Sequence, residues 1–352
     1  MTDLLLQEFD FTTLQKQMDL LYPSNGINVF NMVVQVIQGK QGLSLSYIYE
    51  IAVTAIVNEV GNLKLVFLSI LLIGILSALF HNIAKMFQNH QIANMGYYLI
   101  YLYLIMILLR TFYESYTTCK EAMEYIVTFI QIGIPLFTAS LAMTGKIMTS
   151  SVFYQIALLV IFLIEMVLLH IVIPYIYAYV LLSIVNGLTQ ENRFDSILRL
   201  LRKSIEWLLK VMLGIVAGIN LIQSMVTPVI DGVNKGVIQK VATLIPGVGT
   251  VTDSVIDLVL GSTILIKNSI GVVYSILFIL VCLKPFIELL CITVLLRVSA
   301  AVIGMVCDPR MVRCVEEVSI GSGLLLRTLL SALSMFLITV AIITVATSAV
   351  SL

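Results

Sequence analysis

The stretch from Tyr125 to Gly145, YIVTFIQIGIPLFTASLAMTG, contains no charged side chain and is long enough to cross a bilayer as a helix. Runs of the same kind recur along the chain: Leu65–Phe80, Gln91–Leu109, Ile147–Ile164, Ile171–Gln190, Val211–Ile230, Asn268–Leu283 and Thr328–Leu352. A further run, Cys291–Cys307, is interrupted only by Arg297. These runs are apolar on all sides, which is typical of membrane helices rather than of strands that alternate polar and apolar residues.

The composition of the whole chain leads to the same fold class. Only 11% of its 352 residues are charged, 60% are hydrophobic, and the mean hydropathy is +1.06. A soluble chain of this length needs far more charged surface to cover its core. The sequence therefore predicts an all-α polytopic membrane protein with eight or nine transmembrane helices.

Two regions follow from the positions of the apolar runs. Residues 1–62 form a predicted extracytoplasmic N-terminal segment, with an interfacial helix at 44–61 that places apolar side chains on one face. Residues 63–348 form a single membrane domain, with candidate spans at 63–82, 92–112, 125–145, 151–170, 171–190, 207–227, 268–284, 286–307 and 324–348. A second amphipathic stretch at 194–208 suits a leaflet of anionic lipid, or equally a connector packed against neighbouring helices.

The distribution of basic residues predicts the orientation of the chain. Lys16 and Lys40 are the only basic residues among the first 62, so the positive-inside rule places this end of the chain outside the cytoplasm. The same rule favours a helical hairpin over 151–190 that turns near His170 and Pro174. Such a hairpin returns the basic residues after position 190 to the cytoplasm, whereas one long helix would leave them outside.

The segment near 241–267 combines helix-breaking residues with charges inside membrane-like sequence. Non-helical backbone at membrane depth is tolerated where it is buried in protein or lines water. A broken or re-entrant helix is therefore expected, and its polar side chains either line a cavity or lie on helices at the membrane interface. The candidate cavity-lining or helix-breaking residues here are Asp231, Pro246, Gly247, Gly249, Asp253, Asp257 and Lys267.

Two further candidates are charges within predicted spans. A charge at the bilayer centre costs about 2.5 to 3.5 kcal/mol on insertion scales, so Glu165 and Arg297 should face protein or water. The two side chains could pair with each other, and snorkelling towards the interface is the favoured account of Glu165. Lys284 and Glu288, four residues apart, are expected to form a helical salt bridge at a cytoplasmic turn.

No catalytic constellation is visible in the sequence. Gly247-Val248-Gly249 lacks the lysine and hydroxyl residue of a phosphate-binding loop, and no HExxH motif is present. The five cysteines make no CxxC pair, although Cys307 and Cys314 could form a disulfide. Net charge is zero and no basic patch with interleaved aromatics occurs, so nucleic-acid binding has no support. We expect a protein that is not an enzyme and holds no cofactor.

Several short motifs, taken in their order and spacing, resemble one known family. They are Asn58-Glu59-Val60, Gln223, Asp231-Gly232, Lys240, Ile245-Pro246-Gly247-Val248-Gly249, Asp257, Leu265-Ile266-Lys267-Asn268-Ser269-Ile270-Gly271, Arg297-Val298-Ser299-Ala300-Ala301, Asp308, Arg310, Cys314, Glu317 and Met335-Phe336-Leu337-Ile338-Thr339. Over roughly residues 45–348 the chain resembles the stage III sporulation protein AE family.

That resemblance implies a specific setting. Members of the family are integral components of a complex made by the mother cell of an endospore-forming bacterium, in the membrane derived from the mother cell that surrounds the forespore. The implied partners are the other mother-cell stage III proteins, including a separate ATPase, a forespore-made protein across the intermembrane space, and the lipid bilayer. The assembly is regarded as a secretion-like channel supporting late forespore development.

Two other functional classes compete with a subunit of such a complex. A self-sufficient secondary transporter for a small solute would suit the broken segment and the charges within spans, because transporters bind substrate at interrupted helices. No internal repeat supports that alternative. A membrane-embedded enzyme is the least favoured class, because the catalytic residues it needs are missing from the sequence.

Overall fold

Every ordered element of the part of the chain that is described is a helix. The computed structural model describes residues 11–21, 28–38, 45–86, 90–143, 148–188, 194–242 and 249–348. Two short helices, α1 (Thr12–Leu21) and α2 (Val29–Ile37), precede the long ones. The long helices are α3 (Leu45–Met86), α4 (His90–Met143), α5 (Met148–Val167), α6 (Ile173–Leu188), α7 (Asp195–Ala242), α8 (Gly249–Ile303) and α9 (Pro309–Ser348).

Six helical stretches in the described residues are long and apolar enough to cross a membrane. They are Tyr49–Phe80, Met95–Pro135, Gln155–Leu188, Asp195–Ile222, Asn268–Ile303 and Pro309–Ile342. The all-helical, multi-span fold class is therefore confirmed. The number differs from the predicted eight or nine, because neighbouring candidate spans lie end to end on continuous helices.

Helix α4 is the clearest case of two candidate spans on one helix. It carries 92–112 and residues 125–143 of the next candidate span, and two ion pairs at i,i+4 spacing lie around the junction, Arg110–Glu114 at 3.1 Å and Lys120–Glu124 at 3.7 Å. Pairs at this spacing lie on one helical face and support a helix rather than a turn. The charged segment therefore continues the helix instead of ending it.

The hairpin predicted near His170 and Pro174 is not formed. A π-helical segment, Leu168–Val172, joins α5 directly to α6. Proline has no backbone N–H and clashes with the preceding turn of an α-helix, and a π-helical turn changes the hydrogen-bond register just where Pro174 follows. The candidate spans 151–170 and 171–190 therefore form one continuous helical segment over residues 151–188.

The same continuity joins other predicted segments. Helix α8 contains candidate span 268–284 and most of 286–307, with Pro285 inside it. Residues 45–61 of the predicted interfacial helix and the candidate span 63–82 share α3. The stretch 194–208 lies at the start of α7, where Leu198 and Ile205 are buried and Ile197 is exposed, and its position at the membrane interface stays a prediction.

The lengths of these helices exceed the thickness of a bilayer. With 54 residues and a rise of 1.5 Å per residue, α4 is about 81 Å long. The centres of 92–112 and 125–145 are about 50 Å apart along this helix. A hydrocarbon core of about 30 Å cannot enclose both, so part of the bundle extends beyond it.

The core of the bundle is formed where α4, α8 and α9 meet. Phe129, Tyr274, Phe278 and Phe336 are fully buried, and the Phe278 and Phe336 rings stack with centroids 3.8 Å apart. The Tyr274 hydroxyl donates a hydrogen bond to the Phe129 carbonyl. Helices α7 and α9 run parallel, because contacts join Glu206 to Arg327 and, further along both helices, Asn220 to Thr339. This parallel pair positions the polar groups described next.

Candidate functional site

Most of the residues predicted to line a cavity lie on stretches of helix for which the structure describes the backbone but not the side chains. Asp231 lies on α7, and Gly249, Asp253, Asp257 and Lys267 lie on the first part of α8. Pro246 and Gly247 fall between α7 and α8, outside the described residues. A cavity lined by these residues, and the re-entrant form of 241–267, stay predictions.

The side chain of Glu165 lies inside the helix bundle and does not reach the surface as sequence reasoning favoured. Its side chain is fully buried in α5, and neither carboxylate oxygen has a hydrogen-bond partner among the described residues. Snorkelling to the interface is therefore wrong for this residue. Cys282 on α8, which is also buried, lies within electrostatic reach of the carboxyl group. Glu165 faces protein, as the cost of exposing a charge to lipid requires.

Arg297 does not meet Glu165. The Arg297 side chain is exposed on α8. Its guanidinium lies beside α9, because a Cβ built on Gly323 of that helix would be 3.6 Å from Arg297 Nη2. No carboxylate in the described parts of the chain pairs with it. The proposed pair is therefore not formed, whereas the helical salt bridge between Lys284 and Glu288 is confirmed at 3.9 Å. That bridge lies within α8 rather than at a turn.

A polar network that the sequence did not reveal fastens α6, α7 and α9 at one end of the bundle. Asp195, the first residue of α7, accepts hydrogen bonds from Asn186 at 2.6 Å and from Arg313 at 2.6 Å. The backbone N–H of Phe194 donates to the Asn186 side chain at 3.0 Å. Hydrogen bonds to charged groups are stronger than neutral ones, so this network fixes how α6 turns into α7.

A second group of charges lies further along α7 and α9. The Glu206 carboxylate accepts from Arg327 at 3.0 Å and from Arg202 at 3.4 Å, so one acid serves two guanidinium groups. Between the two helices is a cavity of about 290 Å³, which we call the boundary cavity. It is lined by Glu206, Leu209, Lys210, Leu213, Arg327, Leu330, Ser331 and Ser334.

The described residues offer little support for catalysis. No group of three or more histidine, cysteine or acidic side chains that could hold a metal ion occurs among them. Cys307 and Cys314 are free thiols, so the alternative of a disulfide is not realised; Cys307 instead lies 3.3 Å from the carbonyl of Gly74. The polar groups described above connect helices α6, α7 and α9.

Comparison with known proteins gives concordant results. The sequence profile of the family described as "Stage III sporulation protein AE" matches residues 27–347. A curated protein named "Stage III sporulation protein AE" from Bacillus subtilis (strain 168) is 24% identical over 252 residues. That alignment covers 71% of this chain but only 63% of the relative, less than two thirds of its length. No solved structure matches the chain.

Proposed function

Because this chain belongs to the stage III sporulation protein AE family, we propose that it is an integral membrane subunit of a sporulation complex and is not an enzyme. The family match over 27–347 is the observation that carries the proposal, since it includes every helix except α1 and the last residue of α9. The six apolar helices support a multi-pass position in the membrane. The subunit acts by assembling with other proteins rather than by turning over a substrate.

The proposed location is the mother-cell-derived membrane around the forespore. The proposed partners are the other mother-cell stage III proteins, including a separate ATPase, and a forespore-made protein across the intermembrane space. The lack of a phosphate-binding loop in the sequence supports a motor supplied by another chain. Helices about 80 Å long leave protein surface beyond a bilayer core of about 30 Å, which supports contacts with partners outside the membrane.

Within such a complex we place the conduit along the segment near 241–267 that the sequence predicts to be broken or re-entrant. Single cysteines at Thr250, Asp253 and Asp257 test this placement through their reaction with water-soluble thiol reagents in the assembled complex. Reaction at these three positions, which share one helical face, supports a water-lined path. Uniform protection at all three positions would exclude one.

Affinity purification tests the proposal as a whole. The chain is tagged, recovered from sporulating cells in mild detergent, and analysed by mass spectrometry together with a tagged, unrelated multi-pass protein as the control. Specific recovery of the other stage III proteins and the ATPase supports a subunit of a complex. Recovery of the chain alone, with solute transport after reconstitution in liposomes, would instead support the secondary transporter.

A further inference from the structure

The boundary cavity lies where two parallel helices pass from charged to apolar sequence. On α7, Lys210 is the last charged residue before the uncharged run 211–230. On α9, Arg327 is the last charged residue before the uncharged run 328–352. Because α7 and α9 run in the same direction, these two residues mark the same level of the bundle. A cavity lined by both therefore opens at the edge of the hydrocarbon region.

The side chains around the cavity have the polarity gradient of a phospholipid. Cationic groups of Lys210 and Arg327 lie at its charged end, whereas Leu213 and Leu330 supply apolar walls. The exposed Trp207 lies one turn before Lys210, and tryptophan is enriched at the headgroup level of membranes. The arrangement suits a ligand with an anionic head and an apolar tail.

The charges of the cavity leave an excess of positive charge. Glu206 is its one acidic lining residue, against the two lining cations Lys210 and Arg327, and Arg202 also pairs with that carboxylate. Lys210 forms no ion pair with a carboxylate in the described residues. The hydroxyls of Ser331 and Ser334 donate to carbonyls of their own helix at 2.8 and 2.7 Å, so donation to an anion falls to Lys210 and Arg327.

We propose that the boundary cavity between α7 and α9 binds the phosphate headgroup of one anionic phospholipid, held by Lys210 and Arg327. The acyl chains leave the cavity past Leu213 and Leu330 towards the hydrocarbon. A basic residue near an anionic membrane surface contributes about a five-fold change in affinity, so each of the two cations has a measurable effect. A zwitterionic lipid has a phosphate but no net charge to match.

The test uses the purified full-length chain in mild detergent, with its thermal unfolding followed as lipid is added. The probes are mixed micelles of phosphatidylglycerol, micelles of phosphatidylcholine with the same acyl chains, and inorganic phosphate alone. We expect phosphatidylglycerol to stabilise the chain at lower concentration than phosphatidylcholine does. Equal effects of the two lipids, or saturating stabilisation by inorganic phosphate alone, would overturn a lipid site.

Three variants locate the effect. Lys210→Gln breaks no described ion pair and should weaken the response to phosphatidylglycerol about five-fold. Arg110→Gln is the control, since this exposed arginine pairs only within α4 and lies outside the cavity. Glu206→Gln removes negative charge from the cavity and should strengthen the response, although it also weakens contacts between helices. An equal loss in Arg110→Gln, or an undiminished response to phosphatidylglycerol in Lys210→Gln, would refute the assignment.

Discussion

Gly321 on α9 is the position at which one added methyl group tests the packing of α6 against α9. A Cβ at this residue would lie 2.1 Å from Cγ2 of Val180 and 3.2 Å from Cε2 of Phe112. Contact at 2.1 Å cannot occur between carbon atoms, so either the Val180 side chain or one of the two helices must move. Overpacking a close-packed core costs about 1–3 kcal/mol, which exceeds the gain of up to about 1 kcal/mol that alanine brings over glycine in a helix.

We therefore expect Gly321→Ala to lower the free energy of unfolding by about 1 kcal/mol, which is a mid-range overpacking cost of about 2 kcal/mol less a propensity gain of about 1 kcal/mol. The matched control is Gly218→Ala on α7, where a Cβ would have no neighbour within 4 Å. That substitution should be neutral or stabilising. The measurement is unfolding of the purified chain by SDS in mixed micelles, followed by the loss of helical circular dichroism.

Val180→Ala supplies the decisive second variant. It removes Cγ2 and leaves the Val180 Cβ at 3.6 Å from the added methyl group, an ordinary contact. In the Val180→Ala background, Gly321→Ala should cost at least about 1 kcal/mol less than in the original chain, a coupling typical of residues in contact. The packing of α6 on α9 would be refuted by equal costs in both backgrounds, or by a Gly321→Ala variant as stable as Gly218→Ala.

Three further substitutions test other contacts by the same unfolding measurement. Asp195→Ala should lower the free energy of unfolding by about 1 kcal/mol, because it leaves Arg313 without its carboxylate partner. Because salt screens charges, this loss of stability should be smaller at high salt. An unchanged stability at low salt would contradict the network. Glu165→Gln should not destabilise the chain, since no cation among the described residues pairs with this buried carboxyl group and the substitution removes an unpartnered acid, whereas a loss above about 2 kcal/mol would reveal an ionic partner. Asn220→Ala should lower the free energy of unfolding by about 0.6 kcal/mol, the usual size of a hydrogen bond between membrane helices. In a Thr339→Val background, where the 2.6 Å bond between the two side chains is already lost, the same substitution should cause no further loss of stability. Additive losses from the two substitutions would count against that bond.

The sequence predicted the class of the protein well because that class depends on composition and local pattern. Uncharged runs of about 20 residues favour helices in lipid wherever they occur, since the backbone must satisfy its own hydrogen bonds there. The family was also accessible, because motifs such as Ile245-Pro246-Gly247-Val248-Gly249 keep their order whatever the tertiary contacts. The helical membrane fold and the family could therefore be predicted from the sequence without the structure.

Helix ends were less well predicted, because a local signal for a turn can be absorbed by the helix. Arg110 and Glu124 separate two apolar runs, yet their charges are satisfied by partners one turn away on the same helix. Pro174 suggests a break, yet a π-helical segment accommodates it. Whether such a residue ends a helix depends on what the next turns pack against, which a pattern of single residues does not contain.

The sequence by itself determined that this chain is an all-helical membrane protein of a known family, because transfer of apolar helices into lipid is decided residue by residue. Only the tertiary structure decided which polar groups from different helices meet. Asp195 and Arg313, or Glu206 and Arg327, are more than a hundred positions apart along the chain and within 3.0 Å in space. Glu165 and Arg297 looked like partners and are not, because an ion pair needs atoms in contact and helix packing alone sets those distances.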